Sequence, residues 1–322
     1  MTTFDFSPRS TEHPFAGLEP QAAFEAAWPD IKALRNRSAV LTGLIAVAST
    51  ACVFWLAIEM GEAFVLLALF YPAFAVFWGN RTLQRKVTET MIPSLAAAVR
   101  LEYHADGSHP NGMDLPAGLL PRFNRTETRN SFTGVFGQSP FLSVEVTVKD
   151  KQGGESSSRQ TQTTTYFAGL CVVVTNLPRA DPLVVSKAGK TLLGDQILLS
   201  DRALRGQINE LTGHQVKKAE LDATQASDLE LYIPKTSKGP SAATLDFLGR
   251  LAHVEGVLGK KDRLYSAVRT DHDAAISIQT NRSGFALGGL LMTRQKLLTQ
   301  MEQALQDFVW PIRLVEALVE CD

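Results

Sequence analysis

Two uncharged apolar runs, separated by a short acidic break, constrain this chain more than anything else in it. Ala39–Ile58 reads AVLTGLIAVASTACVFWLAI and Ala63–Gly79 reads AFVLLALFYPAFAVFWG. The first carries no Asp, Glu, Lys or Arg over about 20 positions, the length of helix that crosses a hydrocarbon core of roughly 30 Å. The second sits at the short end of the usual range of about 17–25 residues. Pro72 lies near its middle, which a bilayer tolerates when neighbouring groups satisfy the freed carbonyl. Trp55 and Trp78 stand near the trailing ends, where amphipathic rings favour an interface.

The flanks orient the pair. Lys32, Arg35 and Arg37 precede the first run, and Arg81, Arg85 and Lys86 follow the second. Between the runs lie Glu59, Met60, Gly61 and Glu62. Basic residues near span ends stay on the cytoplasmic side. The expectation is a transmembrane hairpin, residues 39–58 and 63–79, with an acidic tip on the far side and both termini in the cytoplasm. Two buried core helices of a soluble protein are the competing reading, and uncharged runs this long disfavour it.

The bulk numbers agree with a tethered globular protein. A chain of 322 residues, 45% apolar, is long enough for one good-sized domain or two small ones. A net charge of -1 supplies no basic field, so nucleic acid is not expected as a partner. The three cysteines, Cys52, Cys171 and Cys321, are far apart and form no CxxC pair, which argues against a disulfide framework and a cysteine-built zinc site and fits a reducing compartment.

Around the hairpin, residues 1–20 read as a disordered tail. Residues 21–37 read as an amphipathic helix, with Phe24, Trp28, Ile31 and Leu34 at helical spacing. A post-membrane helix follows the second span, with Leu83, Val87, Ile92, Leu95 and Val99 as its stripe and Pro93 set to kink or divide it. Residues 21–104 thus make one membrane segment, and the Gly- and Pro-rich residues 105–120 read as a linker.

Residues 121–322 read as a cytoplasmic α+β domain with a mostly antiparallel sheet, packed helices and a long C-terminal helix. Phe141–Lys149 alternates, with Val144, Val146 and Val148 on one face. After a flexible tip at 151–159, Thr165–Thr175 should pair back. Short strands are expected at 183–186, 196–199, 220–222 and 228–233. Helices are expected at 201–211, capped by Ser200, and at 241–255, capped by Ser241. A hairpin is expected for 264–269 and 274–279 across Thr270–Asp273. Leu298, Met301, Leu305, Phe308, Ile312, Val315 and Val319 form a helical seam that Pro311 should kink or divide. That seam either packs on the sheet of its own domain, or dimerises or receives a partner helix.

No constellation of catalytic type stands out. Val184–Thr191 (VVSKAGKT) ends like a phosphate loop, but Val184 occupies the position of the first glycine. Glu102, His104, Asp106, His109 and Asp114 are metal-capable residues without helical i,i+4 spacing. His272 and Asp273 sit in a turn, His214 and His253 lack an evident partner, and Cys171 reads as core filler. The sequons at Asn36, Asn80, Asn124 and Asn281 are expected to go unused in this topology. The residues therefore assign no catalytic group, no cofactor and no metal.

The layout resembles a bacterial membrane-protein family, domain of unknown function 3137. The likeness rests on the helix leading into two adjacent spans and on RKVTETMIPSLAAAVRLEY, with Leu101 and Tyr103 at its end. TYFAGLCVVV is similar to a Phe-x-Gly-Leu strand through Phe167, Gly169 and Leu170. VKKAELDATQASDLELYIP and PIRLVEAL are similar to the family's paired strands and closing helix. Ala168 departs from a basic residue there, and the later strand is poorer in aromatics. The resemblance covers the chain from about residue 21 onward. It implies a bacterial inner-membrane protein and hints at a LemA-type membrane protein as partner; it implies no catalytic residue. The function expected is a membrane-anchored cytoplasmic scaffold or interaction module. The alternatives are a subunit of a transport or sensing complex, which requires a homo-oligomer to line a polar path, and an enzyme whose site no motif marks.

Overall fold

The computed structural model describes residues 20–60, 63–108, 113–116, 119–120, 125–152, 162–187, 216–219, 229–258, 262–280, 287 and 293–319. The chain divides into two compact units. One comprises Met1–Arg100 with Phe285–Phe308, and the other Leu101–Gly284 with Val309–Asp322.

The first unit is helical. Helix α1 spans Pro20–Met60 and α2 spans Ala63–Ala98. At 1.5 Å per residue they are about 62 and 54 Å long, well beyond a hydrocarbon core of roughly 30 Å. The sequence suggests a separate amphipathic helix ahead of the first span, but α1 runs continuously from Pro20 with Pro29 inside it. Likewise α2 continues unbroken through Pro72 and Pro93. Leu83, Val87, Met91, Ile92 and Leu95 are all buried, and that burial outweighs the roughly 3 kcal/mol that an interior proline costs a helix.

The helices run antiparallel, because Thr42 of α1 meets Gly79 of α2 and the two residues lie nearly equally far from the connection. A Cβ at Gly79 would stand 2.2 Å from Thr42 Oγ1, so only glycine permits this approach. The third helical piece is the first part of α4, Arg294–Val319. Its Leu297, Met301, Ala304 and Phe308 are buried. Leu287 N donates to Thr88 Oγ1 at 3.1 Å. Arg294 pairs with Glu25 and lies 5.9 Å from the centroid of the Trp28 ring.

The second unit is built on an antiparallel sheet. Its strands are β1 (Glu102–His104), β2 (Arg125–Phe136), β3 (Ser139–Gln152), β4 (Gln162–Val174), β5 (Leu183–Lys187), β6 (Val216–Ala219), β7 (Leu229–Pro234), β8 (Arg263–Arg269) and β9 (Ala274–Gln279). Among the described residues the order is β1-β2-β3-β4-β9-β8-β5-β7-β6. Every ladder among the described residues is antiparallel, so the α+β class holds. The expected pairing of Phe141–Lys149 with Thr165–Thr175 is the β3–β4 ladder, with Val144 opposite Cys171 and Val146 opposite Gly169. Gly169 also meets β9, where a Cβ would stand 2.0 Å from the Ile278 carbonyl oxygen.

Helix α3 spans Ala242–Val257, and Ser241 caps it as expected, its hydroxyl accepting from Thr244 N at 3.2 Å. The second part of α4 is buried on most sides, through Val309, Trp310, Ile312, Leu314, Val315, Ala317 and Leu318. Pro311 does not divide it. Arg250 of α3 closes its end, Nη1 donating to Leu318 O at 2.8 Å and to Val319 O at 2.5 Å. Those carbonyls lack partners within the helix.

Residues 105–120 are more than a spacer. Leu119 is fully buried in the sheet core, and Met113, Leu115 and Leu120 pack against it. The Leu119 carbonyl accepts from Ser266 Oγ at 2.5 Å and from Ser277 Oγ at 3.1 Å. Strands β1, β2 and β6 are additions to the sequence reading. Of the expected tip at 151–159, Lys151 and Gln152 belong to β3, while 153–159, the strands at 196–199 and 220–222 and the helix at 201–211 lie outside the described residues.

Candidate functional site

The most unusual surface is on the helical hairpin. Val40, Leu41, Leu44, Ile45, Val47, Phe54, Trp55 and Ile58 of α1 are exposed, as are Phe74, Val76, Phe77 and Trp78 of α2. Soluble monomers rarely expose so many large apolar side chains on one pair of helices. Trp28–Trp55 is, among the described residues, the one helical stretch long and apolar enough to cross a membrane, and 11% of its most apolar window is buried. The polar groups within it close on the helix itself. Ser49 Oγ donates to Ile45 O at 2.6 Å and Thr50 Oγ1 to Ala46 O at 2.7 Å, which leaves neither hydroxyl in need of water.

A charged and aromatic border follows the band. The Arg35 guanidinium lies 5.8 Å from the centroid of the Trp28 ring and that of Arg81 lies 5.8 Å from Phe77. Arg85 pairs with Glu89 one turn further on, at 2.7 Å.

In the sheet unit, Thr270–Asp273 forms the expected hairpin turn between β8 and β9. Thr270 N donates to Asp273 O at 2.8 Å, and Asp273 N to Thr270 Oγ1 at 3.2 Å. The turn also anchors the segment after β4. Leu177 N donates to His272 O at 2.7 Å and Ala180 N to Asp271 O at 3.0 Å. His272 is thus bound into loop architecture, its Nδ1 lying 3.3 Å from Leu177 O.

Beside the turn, a cleft of about 260 Å³ opens between Pro182–Val184 and Val268–Asp273. Arg269, the last residue of β8, lines it and is only 6% exposed. Its Nη2 donates to Pro178 O, while Nη1 has no acceptor among the described residues. Burial lowers its pKa from the usual range, and Arg250 lowers it further, against opposing pulls from Asp273 and Asp246. The sequence reading passed over Arg269. The signal was a cation closing the apolar strand LYSAV, one residue before the turn.

The other candidate residues do not assemble. His104 Nε2 is buried 3.4 Å from Glu102 Oε1, without hydrogen-bond geometry. Asp106 accepts from Ser108 N at 3.0 Å, and this backbone hydrogen bond, first among several causes, lowers its pKa. Asp114 joins neither, and His109 lies outside the described residues. No group of three His, Cys, Asp or Glu able to hold a metal occurs among the described residues. Cys171 is fully buried in β4, and burial drives its thiol pKa far upward, so it is no nucleophile at neutral pH. Val184 sits within β5, paired with Tyr232 and Val268, and its φ-demanding loop role is not available there. Gly189, Lys190, Thr191 and His214 lie outside the described residues. His253 stands exposed on α3.

The sheet also carries a polar network that sequence reasoning missed. Tyr103 Oη donates to Asn130 Oδ1 at 2.7 Å, and Asn130 Nδ2 to Glu145 Oε2 at 2.9 Å. Asn130 has φ of 48° at a register shift between β2 and β3. Asparagine tolerates that left-handed backbone at such a bulge.

No family model, curated protein or solved structure matches the chain.

Proposed function

We propose that the chain is a two-span membrane anchor carrying a cytoplasmic interaction module. The observation that carries this reading is the apolar band exposed on α1 and α2 and bounded by Arg35 and Arg81. In a bilayer that band loses contact with water, which favours insertion by about 25 cal/mol for each Å² covered. The basic residues on both outer flanks then put the two ends of the hairpin, and the sheet unit with them, on the cytoplasmic side.

The resemblance to the domain of unknown function 3137 family supports the same reading and suggests a LemA-type membrane protein among the candidates for partner.

Reporter fusions test the topology. A fusion at Gly61 is expected to read periplasm and one at Asp322 cytoplasm. The opposite pattern overturns the orientation, and release of the protein by alkaline carbonate overturns the anchor. Crosslinking in native membranes tests the module. A recurrent partner on the sheet unit is expected, and a monodisperse, partner-free protein removes the scaffold reading.

A further inference from the structure

We propose that the cleft beside the β8–β9 turn binds a small zwitterion, with its carboxylate held by Arg269 and its ammonium by Asp271 and Asp273. The cleft holds about 260 Å³, a little below the size of usual small-molecule pockets and suited to an amino-acid-sized ligand. Arg269 presents a planar fork of donors with one prong engaged by Pro178 O and the other, Nη1, without an acceptor among the described residues. A buried guanidinium donor left unmatched is costly, and a carboxylate oxygen is its best complement. Nη1 is closed off from solvent in this conformation, so binding includes a rotation of the guanidinium toward the cleft.

A simple anion fits less well. Asp271 and Asp273 line the same cleft, and Asp271 is about half exposed, 3.9 Å from Arg179. Asp273, together with Asp271 whose charge the exposed Arg179 offsets only in part, disfavours a pure anion and favours a ligand that carries both charges. Pro182 and Leu183 add an apolar wall for a short side chain. The turn that positions these groups is itself fixed by the Thr270–Asp273 hydrogen bonds, so the charges are preorganised.

The test is calorimetric titration of the full chain in detergent with L-alanine and with its two halves, propionate and ethylammonium. L-alanine is expected to bind more tightly than either half. Arg269→Gln is expected to weaken both L-alanine and propionate by about tenfold or more, the scale of one charge-assisted hydrogen bond. Asp271→Asn is expected to weaken L-alanine while leaving propionate unchanged or stronger. Among the described residues the Asp271 side chain pairs only with the exposed Arg179, so this variant reports even if Arg269→Gln fails to fold. Heats for L-alanine equal to those for sodium chloride at matched ionic strength overturn the proposal. So does propionate binding as tightly as L-alanine, or an Asp271→Asn protein that binds L-alanine as before.

Discussion

The two halves of the helical hairpin are made of the same kinds of residue and treat them in opposite ways. Toward the α1–α2 connection, Leu44, Ile45, Phe54, Trp55 and Phe74 stand exposed. Away from it, Ile31, Leu83, Val87, Met91, Ile92 and Leu95 are buried, together with Leu297 and Met301 of α4. One half has helical neighbours for its apolar side chains; the other finds them only in a surrounding medium. The change falls near Thr42 and Gly79, close to Arg37 and Arg81. Apolarity alone therefore does not mark a span. What separates the two halves is protein cover, and that cover changes along one continuous helix.

The largest effect that sharpens this contrast is a truncation in the covered half. Leu83→Ala and Met91→Ala are each expected to cost about 2–5 kcal/mol, read by thermal or chemical melting in detergent. Leu44→Ala in the exposed half should lie within about 1 kcal/mol, since it opens no cavity in protein. Equal losses for Leu44 and Leu83 break the comparison, because Leu44 would then be covered by another protein surface.

The next effect reverses the chemistry. Leu44→Arg is expected to oppose insertion by about 2.5–3.5 kcal/mol, seen as a larger fraction released by alkaline carbonate. The same release from wild type and variant removes the membrane from the account. Gly79→Val probes the crossing point and should cost about 1–3 kcal/mol through overpacking against Thr42. A neutral result means that α1 and α2 separate freely there. The smallest effect lies outside the hairpin. Ser241→Ala should cost about 1 kcal/mol by removing the α3 cap, measured by melting, and should leave membrane retention unchanged. Altered retention in that variant denies the separation between anchor and sheet unit.

The features legible in the sequence were those with strong local period or chemistry. The alternation of Val144, Val146 and Val148 gave β3, and the Ser241 cap gave the start of α3. The turn chemistry of Thr270–Asp273 gave the β8–β9 hairpin. Strand β2 was hidden because its ladder is largely polar, with Arg125, Glu127 and Arg129 facing Lys149 and its neighbours. Lys149 Nζ donates to Glu127 Oε2 at 2.9 Å, and this hydrogen bond is the main cause that lowers the Glu127 pKa. The unbroken helices through Pro93 and Pro311 were hidden for the opposite reason. Burial on several sides is a tertiary effect that local propensity does not contain. Leu119 escaped notice because a core residue in a Gly- and Pro-rich stretch carries no periodicity.

Arg269 shows a third kind of blindness. A single cation at the end of an apolar strand has no motif around it, and only the sheet brings Pro178, Pro182 and Asp273 to its side.

Helix α4 gives its first part to the helical unit and its second to the sheet unit, so both units are assembled from separated pieces of chain. On a ribosome this sets a schedule. The two apolar runs emerge early, and about 200 further residues follow, some 10–40 s at usual rates of synthesis, before α4 is available to either unit. For that interval the nascent sheet lacks the helix that Arg250 later caps, and the helical unit lacks the partner of Glu25, Arg294. Both units therefore stay incomplete until α4 has been made, however early their other pieces emerge.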